Sequence, residues 1–225
     1  MSRNVFQAET GPSCLVRKSG KRAGASRREA AGMIYGQRVR LWALERHDLM
    51  KNYQWANMRE LIRLAGMTPY PKSVADLERW YDLSQSNGSE KIFTIKNHEG
   101  EYLGNIELRD IDWWSGKAEL GIVIGEASAM QQGIGQEAIH LLCHFAYTQM
   151  RMERISARVL EFNHRAQKTF EACGFVREGT ERSSHFSDGR HWDVYVYSRL
   201  KDDPFVAPGE VTDEAASNVP LPLPT

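Results

Sequence analysis

Apolar positions between about residues 37 and 200 switch between a period of two and a period near 3.6, the pattern of strands interleaved with helices. Val-Arg-Leu-Trp-Ala-Leu at 39–44 alternates as a strand, and 47–62 reads as a helix that ends before the breakers Gly66 and Pro69. Ser73 is a good N-cap with Asp76 at the reciprocal capping position, and Leu77, Trp80 and Tyr81 fall on one face of the helix that follows. Residues 91–95 and 102–108, joined by Asn-His-Glu-Gly, predict a hairpin, and an apolar strand follows at 118–125. After a glycine-containing turn, Ile134, Ala138, Leu141, Leu142 and Phe145 recur at helical spacing and put one stripe on a sheet. Residues 154–160 predict a strand. Asn163 caps a short helix that Gly174 closes, and Phe175 onward pairs with 192–200 across Asp188-Gly189.

This pattern predicts one α/β (α+β) domain over 33–201, and the flanks read differently. Residues 1–32 hold seven Lys or Arg against two Glu with no apolar period, which predicts a disordered basic extension, with Met33 as an alternative start. Residues 202–225 carry five of the eight prolines with acidic and small residues, and predict a disordered tail. In 225 residues with 41% hydrophobic content there is material for one sizeable core. Formal net charge is zero, so bulk electrostatics give no reason to expect nucleic acid or an anionic membrane as partner, and no apolar run approaches the roughly 18 residues of a membrane span. Cys14, Cys143 and Cys173 are odd in number and widely spaced, which fits neither a disulfide framework nor a zinc site and points to a reducing, cytoplasmic setting.

The chemistry concentrates at Met130–Ala138, M-Q-Q-G-I-G-Q-E-A, where a glycine turn opens into a helix directly after a strand. Such a turn presents backbone N–H groups, and the helix start adds unsatisfied donors and a positive dipole end, so the segment suits a pyrophosphate. A dinucleotide fold would need the strand to run straight into the glycines and an acidic residue about 20 positions later. Here Glu126–Gln132 intervene and Glu161 lies too far on, which argues against a nucleotide-dependent oxidoreductase.

Four segments in order carry a more specific resemblance: A-E-L-G-I-V-I-G at 118–125, Q-Q-G-I-G-Q-E-A at 131–138, N-H-R-A-Q-K-T-F-E-A-C-G-F at 163–175, and E-G-T at 178–180 with D-G-R-H-W-D-V-Y-V at 188–196. With them the chain resembles the GNAT superfamily of acyl-CoA-dependent N-acyltransferases, in the branch of ribosomal-protein and spermidine N-acetyltransferases. The resemblance implies a mixed, largely antiparallel sheet of about six to seven strands, splayed between the fourth and fifth and flanked by about four helices. It implies acetyl-CoA as co-substrate and direct attack of a primary amine on the thioester, with a non-catalytic acyl-CoA-binding or sensing module as the alternative. The acceptor is expected to be a small-molecule amine or a protein N-terminus, with a homodimer possible.

On the same resemblance, Gln131, Gln132, Gly133, Ile134, Gly135 and Gln136 hold the pyrophosphate, and main-chain groups of Gly121, Ile122, Val123 and Ile124 pair with the pantetheine arm, where an N–H stabilises the tetrahedral oxyanion. Asn163, an N-cap by position, also meets the pantetheine side. Two residues depart from the family pattern: Met130 stands where Gln or Arg is usual, and Phe170 where a tyrosine often serves as general acid. Glu119 is the expected general base, since strand alternation sets it opposite Ala118, Leu120 and Ile122, and Tyr195 or Tyr197 is the candidate replacement for the missing tyrosine. Trp55, Tyr70, Trp113 and Trp114 are candidates for the acceptor pocket. His140 and His144 lie one helical turn apart, but without a third ligand they predict a solvated helix face and no metal.

Overall fold

A computed structural model describes residues 34–130 and 132–204. The expected basic extension, Gln131 and nearly all of the proline-rich tail lie outside the described residues. Eight strands form one sheet: β1 (Ile34–Tyr35), β2 (Val39–Ala43), β3 (Lys91–Asn97), β4 (Tyr102–Asp112), β5 (Lys117–Ile124), β6 (Arg154–Leu160), β7 (Val176–Ser187) and β8 (Arg190–Leu200), in the order β1-β2-β3-β4-β5-β6-β8-β7. Five α-helices accompany them: α1 (Leu49–Trp55), α2 (Arg59–Leu64), α3 (Val74–Ser86), α4 (Ile134–Gln149) and α5 (His164–Ala172). The sheet is thus one or two strands wider than expected, through the two-residue β1, which is too short to leave a periodic signal.

Among the described residues one strand pairing is parallel, and it sets up the site. β5 and β6 are joined only from Lys117↔Arg154 to Glu119↔Ser156. Beyond that point β5 stays paired with β4 and β6 with β8, so the two strands part and leave a gap. This is the expected splay, falling between β5 and β6.

Local signals explain most of the elements. Ser73 and Asp76 close the reciprocal capping box that starts α3. Asn163 Oδ1 accepts from Ala166 N at 3.1 Å to start α5, and Gly174, with φ of 80°, ends it. Asp188 and Gly189 both have positive φ, the combination that suits a two-residue hairpin turn between β7 and β8. One expectation needs correction: 47–62 is two helices, α1 and α2, broken at 56–58. Asn57 makes the break worthwhile, since its Nδ2 donates to Tyr53 O and Lys72 O while its Oδ1 accepts from Lys72 N.

α4 lies on one sheet face and buries Ile134, Ala138, Ile139, Leu142, Cys143 and Ala146 against Leu41, Ile106, Leu108, Leu120 and Ile155. Leu141 and Phe145, expected as members of that stripe, flank it half-buried. On the opposite face β4 and β5 carry Asn105, Glu107, Arg109 and Glu119, and α1 to α3 wall in the first three. No described helix is long and apolar enough to cross a membrane.

Candidate active site

Two clefts meet at the free edge of β5. The first, about 280 Å³, runs between the glycine turn, α5 and the β5 edge; the second, about 430 Å³, lies under α1 to α3. Leu61, Ile122 and Val123 line both, so a group held in one faces a group held in the other across these three residues.

The main chain of β5 is sorted by antiparallel alternation. Gly125 N–H donates to Leu103 O at 2.9 Å, on the β4 side, while Ser156 Oγ donates to Ala118 O at 3.2 Å, on the β6 side. Odd positions therefore turn their main-chain groups to β4, and past the last rung with β6 Ile122 and Ile124 turn theirs into the gap. Of the expected run, Ile122 and Ile124 face the first cleft with their backbone, whereas Gly121 and Val123 are spent on the β4 ladder. Gly121 has a different use: a Cβ there would stand 2.7 Å from Glu107 Oε1, so the missing side chain lets that carboxylate lie against β5.

The glycine turn is held from outside the helix. Gly133, the residue before α4, has a left-handed φ of 75°, and a Cβ on it would meet Arg38 Nη1 at 2.6 Å. That guanidinium donates to Gln132 O at 2.6 Å, and Arg38 N donates to Glu137 Oε1 at 2.8 Å, which turns the first-turn carboxylate away from the cleft. The N–H groups of Ile134, Gly135 and Gln136 fall in the first turn and have no intrahelical acceptor. Gly135 and Gln136 line the cleft, and a Cβ on Gly135 would project among its walls, 3.9 Å from Ile122 Cδ1 and from Ile124 Cγ1.

Arg165, which the sequence reading passed over, lines the same cleft and sets Nη1 3.1 Å from Met130 Sδ. A cation from α5 thus stands at the position where Met130 departs from the family pattern; the signal was the basic residue two places after the cap Asn163. Asn163 lines the cleft too, with Oδ1 used by the cap and Nδ2 donating to Leu64 O at 2.9 Å, so it ties α2 to α5. Phe170 is buried in the cleft wall, edge-on to Phe175 at 5.0 Å, and brings no hydroxyl. Neither tyrosine of β8 reaches a cleft. Tyr197 is buried and donates to Glu171 Oε1 at 2.9 Å, with its pKa raised by burial, and the Tyr195 ring lies 3.3 Å from the Arg177 guanidinium.

In the second cleft one guanidinium serves two carboxylates. Arg109 Nη2 and Nε approach Glu119 Oε1 at 2.6 and 3.1 Å, and Nη1 approaches Glu107 Oε1 at 3.2 Å. Glu107 lines the cleft; Glu119 lines neither cleft. Burial holds the Glu107 carboxyl above the usual carboxylate range, against the pull of Arg109 and with help from the charges of Glu90 and Glu119. Sequence reasoning missed Glu107 because its alternation matches that of any half-exposed strand residue.

The aromatic expectations divide. Trp55 lines the second cleft together with Trp80, whereas Tyr70 is exposed and Trp113 and Trp114 sit exposed at the turn between β4 and β5. His140 is buried rather than solvated, with its pKa lowered first by burial and then by the charge of Arg199, while His144 is exposed. Among the described residues no cluster of His, Cys, Asp and Glu could hold a metal ion. Burial pushes the thiols of Cys143 and Cys173 up to about 12, which leaves neither a thiolate for nucleophilic work near neutral pH.

Residues 38–176 match the family described as "Acetyltransferase (GNAT) domain". Spermidine N(1)-acetyltransferase of Vibrio cholerae is 29% identical over 154 residues, covering 68% of this chain and 88% of that protein. The putative ribosomal N-acetyltransferase YdaF of Bacillus subtilis is 29% identical over 104 residues, covering 46% of this chain and 56% of that one. Among solved structures, spermidine N-acetyltransferase from Vibrio cholerae in complex with CoA and spermine superposes with a TM-score of 0.71 at 27% identity, covering 75% of this chain and 98% of that one.

Proposed function

The chain belongs to the GNAT acetyltransferase family, and from that premise we propose that it acetylates a primary amine by direct attack across the seam where its two clefts meet. It is an N-acetyltransferase, and acetyl-CoA is its co-substrate. The first cleft suits that molecule: a Gly133–Gly135 turn with donors at the start of α4, the Arg165 cation beside it, and the Ile122 and Ile124 main chain along the gap. Acetyl-CoA supplies an acetyl group already activated as a thioester. A free N–H at Ile122 or Ile124 would stabilise negative charge on the thioester oxygen.

The amine enters from the second cleft, and the observation that carries the reading is the shared wall of Leu61, Ile122 and Val123 with Glu107 beside it. An alkylamine is protonated at neutral pH, with a pKa of about 10.4, so a group must take its proton before it attacks. Glu107 has the better claim: it lines the amine's cleft, lies against β5 and has a raised proton affinity, whereas Glu119, expected as the base, is bound twice by Arg109. Glu107 takes one proton from the ammonium before attack; the new N–C bond then forms as the C–S bond breaks, the thioester sulfur leaves with the bonding pair, and the second proton lost from nitrogen passes to that sulfur, giving the amide and the CoA thiol. Neither described cysteine interrupts this transfer as an acetyl carrier. Interior free thiols also fit the expected cytoplasmic setting.

Two expected results test the supporting parts. Phe170→Tyr should change kcat less than about threefold, because a thiol that ionises near pH 8.5 leaves readily near neutral pH without a protein acid. A tenfold rise in steady-state kcat would instead make protonation of the departing sulfur the limiting event. Residues 1–32 and 206–225 are proposed to add nothing to the fold, since their composition buries too little apolar surface to offset chain ordering. A chain trimmed to 33–205 should keep its melting temperature and its affinity for acetyl-CoA, and a fall of several degrees would contradict this.

A further inference from the structure

α2 roofs both clefts, and little in its own sequence holds it there. It is six residues long, too short to be stable alone, and of these it buries Leu61 and Ile62. Leu61 and Leu64 line the first cleft, and Leu61 also lines the second. The place of α2 therefore sets the width of the seam where the two clefts meet.

The other side of α2 is tied to a distant part of the chain. Arg59 and Arg63 lie one helical turn apart, and both reach Asp188 at the tip of the β7–β8 hairpin. Arg63 Nε donates to Asp188 Oδ2 at 2.6 Å, and Arg59 Nη2 stands 3.6 Å from Asp188 Oδ1. The Arg63 guanidinium also lies over the Phe162 ring, with Cζ 4.2 Å from its centre. Arg63 chiefly, with help from Arg59, holds the Asp188 carboxyl below the usual carboxylate range, so it is charged at neutral pH. Among the described residues both side-chain partners of Asp188 are on α2, and none is on its own hairpin. α2 and the hairpin flank a cleft of about 400 Å³, lined also by Met67, Pro69, His185 and Phe186, so the ion pair bridges a gap.

We infer that Asp188 is a positioning residue for the transfer: from the hairpin tip it latches α2 over the seam through Arg63, so that affinity for acetyl-CoA depends on a bond that lies outside both clefts. The inference rests on the proposed reading of the two clefts. Without the latch, α2 has to be ordered when acetyl-CoA binds, and the ordering cost lowers the affinity.

The test measures acetyl-CoA affinity by calorimetry and amide hydrogen exchange by mass spectrometry, in the wild type, Asp188→Asn, Arg63→Gln and the double variant. Asparagine removes the charge but keeps the turn, since Asn before glycine suits the positive φ of 51° at this position. Asp188→Asn should weaken acetyl-CoA binding about three- to fivefold, the reach of a half-exposed ion pair. It should also speed exchange in residues 59–64 and leave residues 134–149 as in the wild type. Because one bond is being removed twice, Asp188→Asn should cost nothing further in the Arg63→Gln background. A residue that merely stabilised the fold would speed exchange in α4 as well and leave the affinity of the folded protein unchanged. Either of those results, or losses that add in the double variant, overturns the inference while the reading of the clefts stands. A wild type that fails to bind acetyl-CoA overturns the proposed function itself, and the inference with it.

Discussion

Glu107→Gln should lower kcat/KM by about 10²–10⁴, the range typical of a lost general base, with little change in acetyl-CoA affinity. Glutamine keeps the shape that Gly121 accommodates and can still meet Arg109, so the loss reads on proton transfer rather than on packing. The pH profile supplies the sign. In the wild type kcat/KM rises as Glu107 deprotonates, and because burial raises its pKa that limb lies above the usual carboxylate range. Glu107→Gln should abolish the limb. Glu119→Gln should move it instead: the variant removes a neighbouring negative charge that raises the Glu107 pKa and frees Arg109 to turn fully to Glu107, and both changes push the limb to lower pH. A wild-type profile in Glu107→Gln, with a 10²-fold loss in Glu119→Gln, would return the role of base to Glu119.

Gly135→Val is expected to weaken acetyl-CoA binding at least tenfold, about 1.4 kcal/mol, in a protein that still folds. The backbone of Gly135 does not require glycine, since its φ is not among the positive values and its position is helical. A Cβ there finds ordinary contacts with Ile122 and Ile124, so the added methyl groups extend into the cleft instead of into packed backbone. Gly133→Ala would be a poorer probe, because a φ of 75° strains any L residue and the new Cβ meets Arg38. Calorimetry that finds unchanged acetyl-CoA affinity in folded Gly135→Val would remove the glycine turn from the binding site.

What the sequence made legible was local. Ser73, Asn163, Gly174 and Asp188-Gly189 work through bonds or dihedrals within a few residues, and they fall where expected. The strand, glycine turn and helix at 118–149 also depend only on neighbours, and the resemblance supplied their meaning. Missed features depend on distant partners. The break between α1 and α2 is fixed by Asn57 bonding Lys72, 15 positions away. His140 is buried beside Arg199 on β8, which no helical pattern announces. Glu107 becomes a site residue only because α1 to α3 fold over the β4–β5 face, and Glu119 is drawn aside by Arg109 across a strand pair. The exposed Trp113 and Trp114 show the converse, since the resemblance marked their loop as flanking the acceptor pocket and the tight turn at their position keeps them outside.

The central claim is that an amine in the second cleft attacks acetyl-CoA in the first without an acetylated protein between them. The direct measurement follows CoA thiol release and acetylated amine together in single turnover, with intact-protein mass recorded at each time point. Thiol release that requires the amine, equals the acetylated product one to one and leaves the protein mass unchanged is the predicted result. Release in the absence of amine, or a protein one acetyl group heavier that disappears when amine is added, would contradict it.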